Sequence, residues 1–262
     1  SAWRLLLVTA CTRHQNLLVT VCPSCRRPFR DQRHSHLRRV GPALVCGNPL
    51  GAGPTTQCQH DLSAISSIPA AHDVLALQTR VDAALAGRTV RVLGEPAQPA
   101  AYLADLRHLT TLLLHLASQP GAARLAPWVS DLAQTTAIRT SRRGPRWGLR
   151  PPDDPGVRAA ALATADTILS VGDLDTASAA LTPWTELTPT TNDGPLGWLA
   201  DRTLLTTTLT RLVLAARAPH LRLSHHLDTQ EKLVDVDTRG IPRVIPALQY
   251  QRHLARASAS SE

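Results

Sequence analysis

The run ACTRHQNLLVTVCPSC, residues 10–25, holds Cys11 and His14 separated by two residues, then, with seven residues between, Cys22 and Cys25 at the same separation. Two close pairs, each able to sit on a tight turn, are what a tetrahedral zinc ion needs, and Cys22-Pro23-Ser24-Cys25 has the pitch of a zinc knuckle. This stretch decides how the first quarter of the chain can fold. About seventy residues carrying so many arginines cannot build a sufficient apolar core, and a metal substitutes for one. A disulfide framework or buried apolar thiols are the competing readings of the five cysteines. No signal-like or long apolar run places them in an oxidising compartment, and no βαβ pattern surrounds Cys22 and Cys25 as a thioredoxin-like pair requires.

Working outward, Cys46 stands 21 residues after Cys25, and Cys58 follows with His60 beside it. Two arrangements are therefore open. Cys11, His14, Cys22 and Cys25 form one compact site, or Cys22, Cys25, Cys46 and Cys58 form a four-cysteine ribbon whose second half is stretched by the Gly/Pro-rich segment GNPLGAGPTTQ, residues 47–57. In the second case Cys11 and His14 belong to a different site. His34 and His36 read as a solvated basic turn, because knuckle pairs use longer spacings.

The segment WRLLLVTACTRHQNLLVTVCPSC, residues 3–25, resembles the TniQ domain of transposon-encoded target-selection proteins. Members of that family carry an aromatic-Arg segment, a C-x2-H beside a short apolar run, a CPxC, and a later cysteine pair leading into an Asp-Leu step. Cys58, Asp61 and Leu62 look like that last element, and residues 241–255, IPRVIPALQYQRHLA, are similar to a late helical segment of related sequences. The resemblance implies that Cys22, Cys25, Cys46 and Cys58 share a structural zinc ion. It also implies that Cys11 and His14 are half of an earlier site, completed by a CxxC upstream of Ser1. The chain departs from the family in the eleven residues between Cys46 and Cys58, where a two-residue spacing is usual. By function the resemblance implies an adaptor coupling target-site selection to a transposase through a TnsC-type AAA+ ATPase. Its relatives bind either a DNA attachment site or an RNA-guided CRISPR complex.

Charge supports a nucleic-acid reading without requiring it. The formal net charge is +8, lysine occurs once, and arginine supplies the rest. Residues 26–39, RRPFRDQRHSHLRR, set Arg26, Arg27, Arg30, Arg33, Arg38 and Arg39 against Asp31 immediately after the knuckle. Arginine forks bind phosphate oxygens, and such contacts hold a protein on nucleic acid without reading its sequence. An acidic protein partner would meet the same arginines equally well. A second basic stretch, residues 138–152, reads first as an exposed connection, with Trp147 available to stack on a base.

The whole chain is 43% apolar, mainly aliphatic, and 3% aromatic, and beyond residue 70 it reads as helical. Val74, Leu77, Val81 and Leu85 recur at helical spacing before Gly87. Leu103, Leu106, Leu109, Leu113 and Leu116 do so before Pro120-Gly121. His108 and His115 on the second of these stripes read as core-edge or surface histidines. Asp153-Asp154-Pro155 opens a third helix, 177–187 a shorter one, and 196–218 a single long helix burying Leu205, Leu209, Leu212 and Leu214. His225-His226 reads as a polar turn.

No G-x-S-x-G elbow, phosphate-binding glycine loop, paired-carboxylate motif or HExxH helix occurs. The expectation is a mainly α protein: an N-terminal zinc-ribbon module over 1–68, then an α-helical domain over 69–262, divisible into two sub-bundles near 138–155. It is expected to be non-enzymatic and cytoplasmic, with no membrane span and with a homodimer left open. The alternative is a helical protein–protein interaction module whose zinc is only a staple.

Overall fold

The computed structural model describes residues 6–29, 44–51, 56–136, 147–148, 151–189 and 194–218. Over these the chain is mainly helical, in the order β1 (Ala10–Cys11), β2 (Asn16–Leu17), α1 (His72–Leu85), β3 (Val90–Val92), β4 (Glu95–Ala97), α2 (Pro99–Ala117), α3 (Pro127–Thr136), α4 (Pro155–Ser170), α5 (Leu174–Thr185), α6 (Gly194–Arg202) and α7 (Thr207–Arg217). No helix among the described residues is long and apolar enough to cross a membrane.

The helix α2 is the axis of the assembly. Leu106, Leu109, Leu112, Leu113 and Leu116 are fully buried, and so is Tyr102. An apolar surface buried on more than one side belongs to a central helix rather than an amphipathic surface one. The helices α4, α1, α5, α6 and α7 all pack against it, and α5 also packs along α7. Leu103, placed on the buried stripe by spacing alone, is half-buried, as is Leu214, while Leu85 is exposed and Ala84 takes the inward position.

Local signals place several boundaries. The Asp154 carboxylate caps α4 by accepting from the Val157 N–H at 2.8 Å, with Pro155 in the first turn. Gly87 follows α1 with φ +77°, the left-handed conformation glycine tolerates. The expected long helix over 196–218 is instead two, α6 and α7. The Thr206 hydroxyl donates to the buried Asp105 carboxylate on α2 and accepts from the Leu209 N–H, so it starts α7 afresh. A tertiary hydrogen bond from α2 thus breaks a continuous apolar pattern.

Two elements go beyond the sequence expectation, because each is short. One is α3, seated by Trp128, Val129 and Leu132, with Trp128 stacked on Trp184 at 5.7 Å. The other is the β3–β4 hairpin, turned by Leu93 and Gly94 at φ +50° and +80°. The Leu93 N–H donates to the Leu169 carbonyl at 2.8 Å, satisfying an oxygen that the end of α4 leaves open.

Trp147 corrects an expectation. It is buried and donates its indole N–H to the Ser118 hydroxyl at 3.2 Å, so it belongs to the helical core and offers no face to a base. At the junction of α1, α2 and α4, Asp166 accepts from the Arg80 guanidinium at 3.0 Å and the Tyr102 hydroxyl at 2.8 Å. Burial raises the Asp166 carboxyl and the Tyr102 hydroxyl alike above their ordinary ranges.

His108 lies within hydrogen-bond distance of the Thr203 hydroxyl, Nδ1 to Oγ1, at 3.0 Å, and burial lowers its pKa. His115 is pulled down to about 4 by burial, and the Arg202 charge adds to it. The unfolded ring titrates near 6.5, so the neutral form favours the fold above that pH. This contribution, up to about 3 kcal/mol, is lost as pH falls from about 6.5 to 4. Wild type is therefore expected to lose stability relative to His115→Gln across this window. Denaturant midpoints taken from pH 7 to 4.5 check it, and a difference that stays constant with pH rules the titration out.

Candidate metal centre

The knuckle is built by backbone hydrogen bonds that the turn itself supplies. The Arg26 N–H donates to the Cys22 carbonyl at 2.8 Å and the Cys22 N–H to the Arg27 carbonyl at 3.0 Å, folding Cys22–Cys25 into a loop. Arg26 takes φ +55°, so the chain reverses directly after the second cysteine.

Facing it is a two-stranded ladder over 45–50 and 56–61. The Cys46 N–H donates to the His60 carbonyl, Gly47 to Cys58, Cys58 to Asn48 and Leu50 to Thr56, at 2.7–3.0 Å. Val45 opposes Asp61 and Pro49 opposes Gln57. This pairing explains the long spacing in the sequence: Cys46 lies opposite His60 and Cys58 opposite Asn48, so the two cysteines come to lie diagonally across the ladder. Asp61 then caps a 3-10 turn over Leu62–Ala64 by accepting from the Ser63 N–H at 2.8 Å.

The four sulfurs of Cys22, Cys25, Cys46 and Cys58 all lie within 4.8 Å of one another, a grouping able to hold a metal ion. Cys22 faces Cys58 at 3.9 Å and Cys25 faces Cys46 at 3.8 Å. All five cysteines are free thiols, so no disulfide competes for these sulfurs. Cys22 and Cys58 are buried, whereas Cys25 and Cys46 are half-buried. Cys11 and His14 stand apart from the group, with the Cys11 sulfur 3.3 Å from His14 Nδ1 on the β1–β2 hairpin. That hairpin is locked to α1, where the buried Gln78 side-chain oxygen accepts from the N–H groups of Thr9 and Ala10 at 3.0 and 3.3 Å. The compact arrangement of Cys11, His14, Cys22 and Cys25 is therefore not the one the described residues bring together. Arg30, Arg33, Arg38 and Arg39, with His34, His36, His225 and His226, lie outside the described residues, as does most of 138–152.

One residue that sequence reasoning missed supports the centre from behind. Asn48 is 1% exposed and donates its amide to the Cys25 sulfur at 3.5 Å and to the carbonyls of Arg27 and Pro28 at 3.2 Å. It ties the knuckle to the facing ladder, as an outer-shell partner ties its ligands. In sequence Asn48 sits within Gly-Asn-Pro and reads as an ordinary turn. The Arg27 guanidinium adds a second tie by donating to the Pro49 carbonyl.

The thiols are electrostatically divided. Burial raises the Cys25 thiol, but hydrogen bonds from the Asn48 amide, the Arg27 backbone and the neighbouring thiols outweigh it and bring it down to about 7. Cys46 is pushed up to about 12 by burial and by the sulfurs of Cys22 and Cys25, against a hydrogen bond from the Asn48 backbone. Adjacent thiolates repel, so the four can ionise together only around a cation. Comparison with protein-family models, with curated proteins and with solved structures finds no match.

Proposed function

We propose that the four cysteines hold one structural zinc ion in a ribbon-like module, and that the chain is a non-enzymatic adaptor of the TniQ kind. In this reading it links recognition of a target site, on DNA or through an RNA-guided CRISPR complex, to a TnsC-type AAA+ ATPase and its transposase. The observation that supports zinc is the sulfur spacing. A tetrahedral ion with Zn–S bonds of about 2.3 Å sets its ligands about 3.8 Å apart, and the two facing pairs stand at 3.9 and 3.8 Å. Four thiolates leave no open position for water, so such an ion organises the chain and performs no hydrolysis.

The nucleic-acid part of the reading rests on what adjoins the centre. Arg26 and Arg27 are exposed directly after the knuckle, and four more arginines follow by residue 39. If all six meet phosphates, the logarithm of duplex-DNA affinity falls against that of salt concentration with a slope of about −5. Arg26→Gln is expected to reduce this slope by about 1 while weakening all sequences alike. Affinity undetectable at low salt sinks direct DNA binding and favours the interaction module, in which zinc only staples the N-terminus. Capture of a purified TnsC-type ATPase by the full chain tests the adaptor role separately, and no capture in either nucleotide state overturns it.

A further inference from the structure

We infer that the Cys25–Cys46 edge of the metal centre is a redox-sensitive switch: a peroxide joins these two sulfurs as a disulfide and expels the metal. The inference rests on the zinc reading above and adds a regulation to that site.

Distance allows this edge to close, and access favours it over the rest of the centre. Cys25 and Cys46 face each other at 3.8 Å, close enough for one to resolve an oxidised partner. Both are half-buried, whereas Cys22 and Cys58, at a similar separation, are 0% and 3% exposed. Pro23, Ser24 and Arg26 around the Cys25 side are all exposed, so a small oxidant reaches these two sulfurs first. Susceptibility to oxidation follows thiolate character and access, and metal-bound sulfurs have the first in common. Access alone therefore separates the two pairs.

The chemistry balances with one peroxide. One sulfur of the pair attacks a peroxide oxygen, breaks the O–O bond and becomes a sulfenic acid, and the departing hydroxide takes a proton to leave as water. The second sulfur attacks the sulfenic sulfur, forms the S–S bond and displaces a second hydroxide, which is also protonated to water. Two electrons pass from the sulfurs to the peroxide. Joined as a disulfide, Cys25 and Cys46 no longer offer thiolates, which would leave Cys22 and Cys58 as the only sulfurs of the group able to hold a zinc ion. Arg26 and Arg27 lie on the same loop as Cys25, so loss of the metal would free these two arginines from the geometry of the knuckle.

The test uses the full zinc-loaded chain, titrated with hydrogen peroxide. Zinc release is followed with a coloured chelator, and disulfides are mapped by differential alkylation and mass spectrometry. The expected result is release of one zinc per chain with Cys25 joined to Cys46, while Cys22 and Cys58 alkylate as free thiols. The half-buried pair reacts faster than the buried pair, and a dithiol with added zinc restores the starting state. Cys11→Ser is expected to give the same map, since Cys11 lies outside the group. A first disulfide between Cys22 and Cys58, or one that includes Cys11, overturns the inference. So does zinc that stays bound through peroxide levels that fully oxidise Cys11. A chain without zinc before peroxide is added defeats the metal reading instead, and mapping of its thiols still decides the pairing.

Discussion

Cys58→Ser is expected to empty the metal centre, while Cys11→Ser leaves it loaded. The purified chain should hold one zinc, and the ratio should fall close to zero in Cys58→Ser and stay at one in Cys11→Ser. The reason is geometric: Cys58 is a buried member of the four-sulfur group and Cys11 is not in it. Structural zinc is worth about 10–16 kcal/mol in small modules of this kind. If the proposed zinc is held by these four sulfurs, removing one of them is expected to cost the module its fold as well as its ion. Amide exchange over 44–61 should accelerate in Cys58→Ser, because the ladder carrying Cys46 and Cys58 has few buried apolar residues of its own. The reverse pattern, with zinc lost by Cys11→Ser and kept by Cys58→Ser, would establish the compact Cys11, His14, Cys22, Cys25 site instead.

The second large effect concerns the helical layer. Gly94→Ala is expected to destabilise by about 3 kcal/mol or more, through two costs that a companion variant separates. Gly94 has φ +80°, and an added Cβ would lie 2.0 Å from the Gly172 carbonyl oxygen, a backbone atom that no side-chain rotation moves aside. Gly87 has nearly the same φ, +77°, with nothing within 4 Å of an added Cβ. Gly87→Ala thus reports the backbone strain alone, about 1 kcal/mol. Thermal or denaturant unfolding of both variants decides the matter. Equal losses would mean that the hairpin tip yields freely and does not fix the end of α4.

The two variants also mark where the sequence was legible. Gly87 reads as a helix stop from its place after an apolar stripe, and the structure gives it the left-handed conformation that such a stop needs. Gly94 carries no comparable signal, because its requirement comes from Gly172, 78 residues further on. The same division runs through the helices. Asp154-Pro155 announces α4 locally, whereas the break between α6 and α7 depends on a hydroxyl–carboxylate bond from Thr206 to Asp105. Apolar spacing predicts one helix there, and only a partner on α2 replaces it with two. Trp147 was misread for the same reason: glycines, prolines and arginines around it mark a loop, while its burial against Ser118 is a property of the packed helices.

At the centre, the sequence by itself determined the chemistry available. The spacing of Cys22 and Cys25 on a Pro-Ser turn fixes a knuckle, since the local backbone bonds that fold it involve only residues 22–27. Net charge and arginine placement are likewise properties of the chain as written. Between the two sets that the cysteine spacing left open, the tertiary structure decides which sulfurs meet. Cys46 and Cys58 come together because a ladder pairs the segments 45–50 and 56–61. Asn48 then locks that ladder to the knuckle through hydrogen bonds to Cys25, Arg27 and Pro28. A turn is encoded by its own few residues, but a four-sulfur group drawn from 37 positions of chain depends on long-range pairing that no local pattern specifies.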